Sequence, residues 1–368
     1  MKVRAISTVK NSVNEAVSDL LAQAKGFQPK MVVYFASTKY DPSQISASME
    51  QAFPGATVFG CSTAGEIVSG EMFKGSISAM LVSGQVLEDI DLAVVENIAE
   101  GAPIPAAFDQ FEAYFHAPMA AMDVNQYVGI VLMDGLSRAE ERLMEKIGDL
   151  TSVFFVGGSA GDDLKFEKTY VYAHGKAYRN AAILALLKPV EGFGIIKTQS
   201  FFALGASLEA TRVDEPNRKV VEFNHKPALQ AYADALRATP EEAKNQFMEH
   251  PLGLMLGGEP YVRSPQKVEG QEMVFYCNIR EGSHLSILQS TDIVGDTRAA
   301  VAAKAVEMGG ISGILNFHCI LRTLELENTG LTQAYGKVFT EIPTAGFSTY
   351  GEAYLGHINQ TSTMLVFK

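Results

Sequence analysis

The sequence predicts a mixed α/β fold in which two lobes are built from related β-α-β-turn-β units. Three observations lead there. Short runs rich in Val, Ile, Phe and Ala alternate with amphipathic stretches of 10 to 15 residues. A turn of small residues recurs three times, as GCSTAGEIVSG at 60–70, GGSAGDDL at 157–164 and GFSTYGEAYLG at 346–356. The chain has 368 residues, 47% of them hydrophobic, enough for one large core or two ordinary ones.

Residues 3–8 read as a strand, 13–24 as a helix with Val13, Ala16, Val17, Leu20, Leu21 and Ala24 on one stripe, and 31–36 as a buried strand. Asp41 or Ser43 caps a second helix carrying Ile45, Met49, Ala52 and Phe53; Pro42 suits its first turn and Pro54-Gly55 stops it. Strands over 56–59 and 75–82 flank the first glycine turn. The order recurs ~97 residues later, with a strand at 127–133, a helix at 138–147, a strand at 153–156, the second turn and a strand at 181–187. In the third copy a strand over 314–321 and a helix over 332–339 precede a turn that matches the first at six of eleven positions. A polar stretch at 205–220, broken by Pro216, marks a boundary between lobes of 1–210 and 211–368. The second lobe opens on a tight Asn224-His225 turn and a helix started by Pro227.

Acidic residues outnumber basic ones 42 to 30, the net charge is -12, and no run of Lys and Arg stands out. Nucleic acid and anionic membrane both need concentrated positive charge, so neither is expected as a partner. The N-terminus lacks the apolar core of a secretory signal, and no apolar stretch approaches the ~20 residues that span a bilayer. Cys61, Cys277 and Cys319 form no CxxC pair. The expectation is a cytoplasmic protein with neither disulfides nor a thiolate zinc site. GxxxxGK[ST] and HExxH are also absent.

Two kinds of residue could carry chemistry. The first turn offers Gly60, Cys61, Ser62, Thr63, Gly65 and Glu66, and the third offers Ser348, Thr349, Tyr350, Gly351 and Glu352. Glycines let a backbone approach a ligand closely, and the hydroxyls and carboxylate can bind polar groups. The same residues also suit tight turns whose hydroxyls cap themselves. Cys61 is a candidate nucleophile, although a small buried cysteine is commoner. In GILNFHCILRTL, strand alternation puts Ile314, Asn316, His318, Ile320 and Arg322 on one face, with Leu315, Phe317, Cys319 and Leu321 on the core face. Three polar groups on one buried face either line a pocket or are fully hydrogen-bonded. His318 is then a candidate axial ligand for haem iron, with Arg322 ~13 Å along the strand near a carboxylate of the bound molecule; a satisfied sheet histidine is the plain alternative. His357, beside Asn359 and Gln360, is the second candidate, against the alternative of a polar turn.

Together, GCSTAGEI, VGGSAGDDL, HPLGLMLGGEPYVRSP, FHCILR and GEAYLGHINQT resemble the FIST family, with its N-terminal and C-terminal modules, over nearly the whole chain. The resemblance implies an intracellular sensor of bacterial regulators, not an enzyme, that binds small ligands and signals through a partner; self-association is compatible with it. The stretch LNFHCILRTLEL looks like the family's haem-based nitric-oxide-sensing branch, which partners histidine kinases or cyclic-di-GMP enzymes. That branch implies haem b, held non-covalently because CxxCH is absent, with His318 as first-choice ligand and His357 as second. The alternative is a haem-free receptor for an amino acid or other small polar metabolite, bound between the two GxSTxGE turns. A Cys- or hydroxyl-dependent enzyme is the third reading.

Overall fold

A computed structural model describes residues 2–101 and 103–368. The chain forms two compact units, one running through Thr198 and including Thr297–His357 and Ser362–Lys368, the other made of Gln199–Asp296 with Ile358–Thr361. The expected mixed α/β class holds. All three repeat copies lie in the first unit.

Each copy supplies the centre of one six-stranded sheet. The first sheet runs Val3–Thr8, Ile77–Ser83, Pro29–Ser37, Thr57–Thr63, then Val171–Ala173 and Lys176–Tyr178. The second runs Leu87–Glu96, Ala181–Pro189, Val128–Met133, Phe154–Ser159, then Glu352–Tyr354 and His357–Ile358. The third runs Phe193–Gln199, Thr361–Phe367, Gly313–Cys319, Thr344–Thr349, then Glu66–Val68 and Glu71–Phe73. The last two strands of each sheet are a hairpin donated by another copy. Copy one gives its hairpin to the third sheet, copy two to the first, and copy three to the second, so the exchange closes into a ring.

This closure explains why the central strands of the first two sheets are largely apolar on both faces, as strands covered on both sides tend to be. Met31, Val33 and Phe35 face a shared core with Val128, Ile130 and Leu132 and with Leu315 and Phe317. The rings of Phe35 and Phe347 stack there at 4.7 Å. The alternate residues Val32, Tyr34 and Ala36 meet the outer helices Val13–Ala24 and Pro42–Ala52. Asp41 caps the second of these helices by accepting from the Gln44 amide at 2.8 Å.

One glycine recurs for a steric reason. Gly60, Gly157 and Gly346 each sit opposite the central strand, and a Cβ added there would stand 1.9, 1.8 and 2.1 Å from the carbonyl oxygens of Tyr34, Val131 and Asn316. Gly157→Ala is expected to lose about 1–3 kcal/mol in urea unfolding, as overpacking does. Gly148→Ala, on the exposed face of helix Glu140–Leu150 with open space around it, should instead gain up to ~1 kcal/mol. Equal effects at the two positions would refute the steric account.

The polar stretch at 205–220, expected as a boundary between lobes, lies within the second unit. It belongs to the long strand Phe201–Asp214 and the turn Glu215–Asn217, and its polar residues are the open face of the second unit's sheet. That sheet has eight strands, and helix Ala228–Leu236 packs on its apolar side through Leu229 and Tyr232. Asn224 and His225 both take positive φ, 51° and 58°, as a two-residue hairpin turn requires.

Candidate functional site

The three glycine turns meet. Ala64 N–H donates to Ser348 O at 3.2 Å and Ser348 N–H to Gly65 O at 2.8 Å, joining the first turn to the third. Gly161 N–H donates to Ser62 O at 3.0 Å, joining the second to the first, and Ser159 N–H donates to Gly351 O at 2.8 Å, joining it to the third. Most of their side chains are satisfied within this knot. Thr63 donates to the Glu66 carboxylate and Thr349 to that of Glu352, the same local bond in two copies. Ser62 donates to Gly161 O at 2.7 Å, and Tyr350 donates to Asp162. Cys61 is fully buried in the shared core, and burial pushes its thiol well above the usual value, the opposite of an activated nucleophile.

A second cluster lies beneath the outer face of the third sheet. Strand Gly313–Cys319 ends at Cys319 and helix Ile320–Asn328 starts at once, so Arg322 is not on the strand but in the helix's first turn. The sequence misleads here because a short apolar run such as Ile320-Leu321 fits either element. The turn brings the Arg322 charge near His318 instead of leading it ~13 Å away, and burial with that charge holds the imidazole well below the usual histidine pKa. The imidazole is therefore neutral.

Arg322 and His318 are both 0% exposed. The guanidinium donates from Nη2 to Thr297 Oγ1 at 3.2 Å, whereas Nε and Nη1 find no partner among the described residues. His318 Nδ1 lies 2.9 Å from Tyr335 Oη, and its Nε2 is also unpartnered. Asn316 Nδ2 donates to Tyr335 Oη at 3.1 Å, and Ser362 Oγ donates to Asn316 Oδ1 at 2.7 Å. Thr323 and Ser348 hydroxyls bond each other at 2.8 Å, so the cluster reaches the third turn, and through the Ser348 backbone it reaches the first.

The repeat supplies its own control. In the equivalent register, Asn316 corresponds to Tyr34 and Val131, His318 to Ala36 and Met133, and Ser362 to Ile77 and Ala182. The fold thus accepts apolar residues at five of these six equivalent positions, the exception being the Tyr34 phenol, whereas the third copy is polar at all three of its own. Asn316, His318, Arg322 and Ser348 were legible candidates in the sequence; Tyr335, Thr297, Thr323 and Ser362 were not. Comparing the three copies position by position exposes Ser362, whereas Tyr335 has no such signal.

The remaining candidates lie elsewhere. The His357 ring packs on Gly351, where an added Cβ would stand 2.0 Å from its Cε1. Gln360, in the second unit, accepts from Ser264 Oγ at 2.6 Å and donates to Met248 O at 2.9 Å, and Asn359 beside it is 1% exposed. No group of three His, Cys, Asp or Glu side chains able to hold a metal ion occurs among the described residues. Haem does not fit around His318 as the residues stand. The Tyr335 ring centre is 4.5 Å from the imidazole, and the cross-strand neighbours are Ser348 and Ser362, a polar enclosure rather than two broad apolar faces. Among the described residues no helix is long and apolar enough to cross a membrane.

The FIST N domain model matches residues 30–226 and the FIST C domain model residues 228–354. An uncharacterized protein of Methanocaldococcus jannaschii is 23% identical over 275 residues, covering 70% of this chain and 53% of that protein. The chain therefore spans about half the length of that relative.

Proposed function

Because the chain belongs to the FIST family, whose domains are signal-transduction sensors, we propose that it senses a small anion held at Arg322 beneath the third sheet. One observation carries this reading. A guanidinium with five N–H bonds is fully buried and gives one to Thr297, and its Nε and Nη1 have no hydrogen-bond partner among the described residues. A buried charge whose donors are left unmade is among the most costly arrangements in a protein, and a carboxylate or phosphate from solution offsets that cost with charge-assisted bonds. Such an anion also ties helix Ile320–Asn328 to the sheet. Output to a histidine kinase or cyclic-di-GMP enzyme then requires that the partner distinguish the tied from the untied state.

Thermal unfolding with acetate, succinate or inorganic phosphate, against erythritol and ethylenediamine as neutral and cationic controls, tests the proposal. At about 100 times its Kd an anion should add ~2.7 kcal/mol, and the controls nothing. Indifference to all three anions would overturn the reading. So would a stoichiometric, His318-dependent Soret band on addition of haemin that shifts with nitric oxide, which would restore the haem sensor.

A further inference from the structure

Anion binding at Arg322 leaves open what His318 does there, and the hydrogen bonds around it decide that. Ser362 commits its only proton to Asn316 Oδ1 at 2.7 Å. Asn316 Nδ2 donates to Tyr335 Oη at 3.1 Å, so the phenol accepts on that side. Tyr335 has one proton of its own and two places to send it, His318 Nδ1 at 2.9 Å or Ser362 Oγ at 3.4 Å. The shorter contact ends at the better acceptor, an imidazole lone pair. Nδ1 then accepts, and a neutral imidazole must carry its single proton on Nε2, the atom without a partner among the described residues.

We infer that Ser362, Asn316 and Tyr335 form a relay that holds His318 as an N–H donor, making the site select a ligand whose oxygens accept from both Arg322 and His318. The inference rests on the anion-sensor reading above. The atoms of His318 and Arg322 without a partner among the described residues are then all donors: Nε2–H of His318, and Nε–H and Nη1–H of Arg322. A carboxylate meets that demand because it only accepts, whereas an ammonium group would oppose these donors. A metal ion at Nε2 would need the other tautomer, with Nδ1–H donating to the phenol and the phenol donating to Ser362 instead. Tyr335 touches His318 rather than the ligand in this scheme, and is a positioning residue.

The ring nitrogens of full-length protein labelled with 15N-histidine report the tautomer without any ligand, and His318→Gln assigns the signals. The expected spectrum shows His318 protonated at Nε2 in the wild type and moved toward the Nδ1–H form in Tyr335→Phe. Calorimetric titration with succinate should show affinity about tenfold or more lower in Tyr335→Phe, the size of a lost hydrogen bond to a charged group. Asn316→Asp, which cannot donate to the phenol, should act in the same direction. A wild-type His318 protonated at Nδ1, or succinate binding that needs Arg322 but ignores Tyr335, would overturn the relay and leave the anion site standing. Loss of the site itself reads differently: succinate fails to bind the wild type, or binds Arg322→Met equally well.

Discussion

In the absence of ligand, Arg322→Met should raise stability toward urea by about 1–4 kcal/mol, the range seen when buried charges give way to apolar residues of similar volume. The same substitution should abolish all stabilisation by anions. The two effects have one cause. Arg322 is fully buried, with Nε and Nη1 unpartnered among the described residues, so without an anion the protein bears the desolvation of that charge. Proteins that retain such a residue trade stability for function, and removing it shows both sides of the exchange. Arg322→Lys keeps the charge but loses the planar fork, and should leave the empty protein no more stable while weakening anion binding. If instead Arg322→Met loses 2 kcal/mol or more, the guanidinium is satisfied by internal water and its role is structural.

Wild-type stability should fall by about 3 kcal/mol as pH rises from 4.5 to 7, through Glu66 alone. Its carboxyl is 1% exposed in the first glycine turn and accepts from Thr63 and from Ser76, through N–H at 2.9 Å and Oγ at 2.6 Å. Burial is the dominant influence and raises its pKa to about 7, against the opposing pull of those hydrogen bonds. In the unfolded chain the group ionises near its ordinary value of 4.5. Between these two values the native state holds a proton that the unfolded state has released, so raising the pH favours unfolding. Below 4.5 both states are protonated and this contribution is level; above 7 the whole loss has occurred. Glu66→Gln should remove the slope. Urea midpoints for both proteins from pH 4.5 to 8 check this, and a difference between them that stays constant over that range would show that Glu66 does not titrate there.

Much of the fold was legible because the chain states it three times. A strand, a helix, a strand and a turn of small residues recur with the same glycine opposite the central strand, and the carbonyl that each glycine admits explains why no other residue serves. Pairing was less legible. Nothing local in Glu66–Val68 or Glu352–Tyr354 says that each joins a sheet centred on another copy, since a hairpin of three-residue strands pairs with whichever edge the closed core presents. The polar stretch near Glu215 reads as a boundary between lobes because an exposed sheet face and a linker have the same composition.

The site divides in the same way. Alternation in Gly313–Cys319 alone separates Asn316 and His318 from the core-facing Leu315 and Phe317, and identifies them as polar groups on a buried face. The sequence by itself therefore determined the repeat, the mixed α/β class and the strand that carries the site. Tertiary structure decided what those residues meet. A helix beginning immediately after Cys319 brings the Arg322 charge near His318, and Tyr335, seventeen residues away in sequence, places its hydroxyl 2.9 Å from the imidazole Nδ1. Periodicity reports which face a side chain occupies, because that follows from backbone geometry. Which donors meet across that face follows from packing between elements distant in the chain, and only the folded structure brings them together.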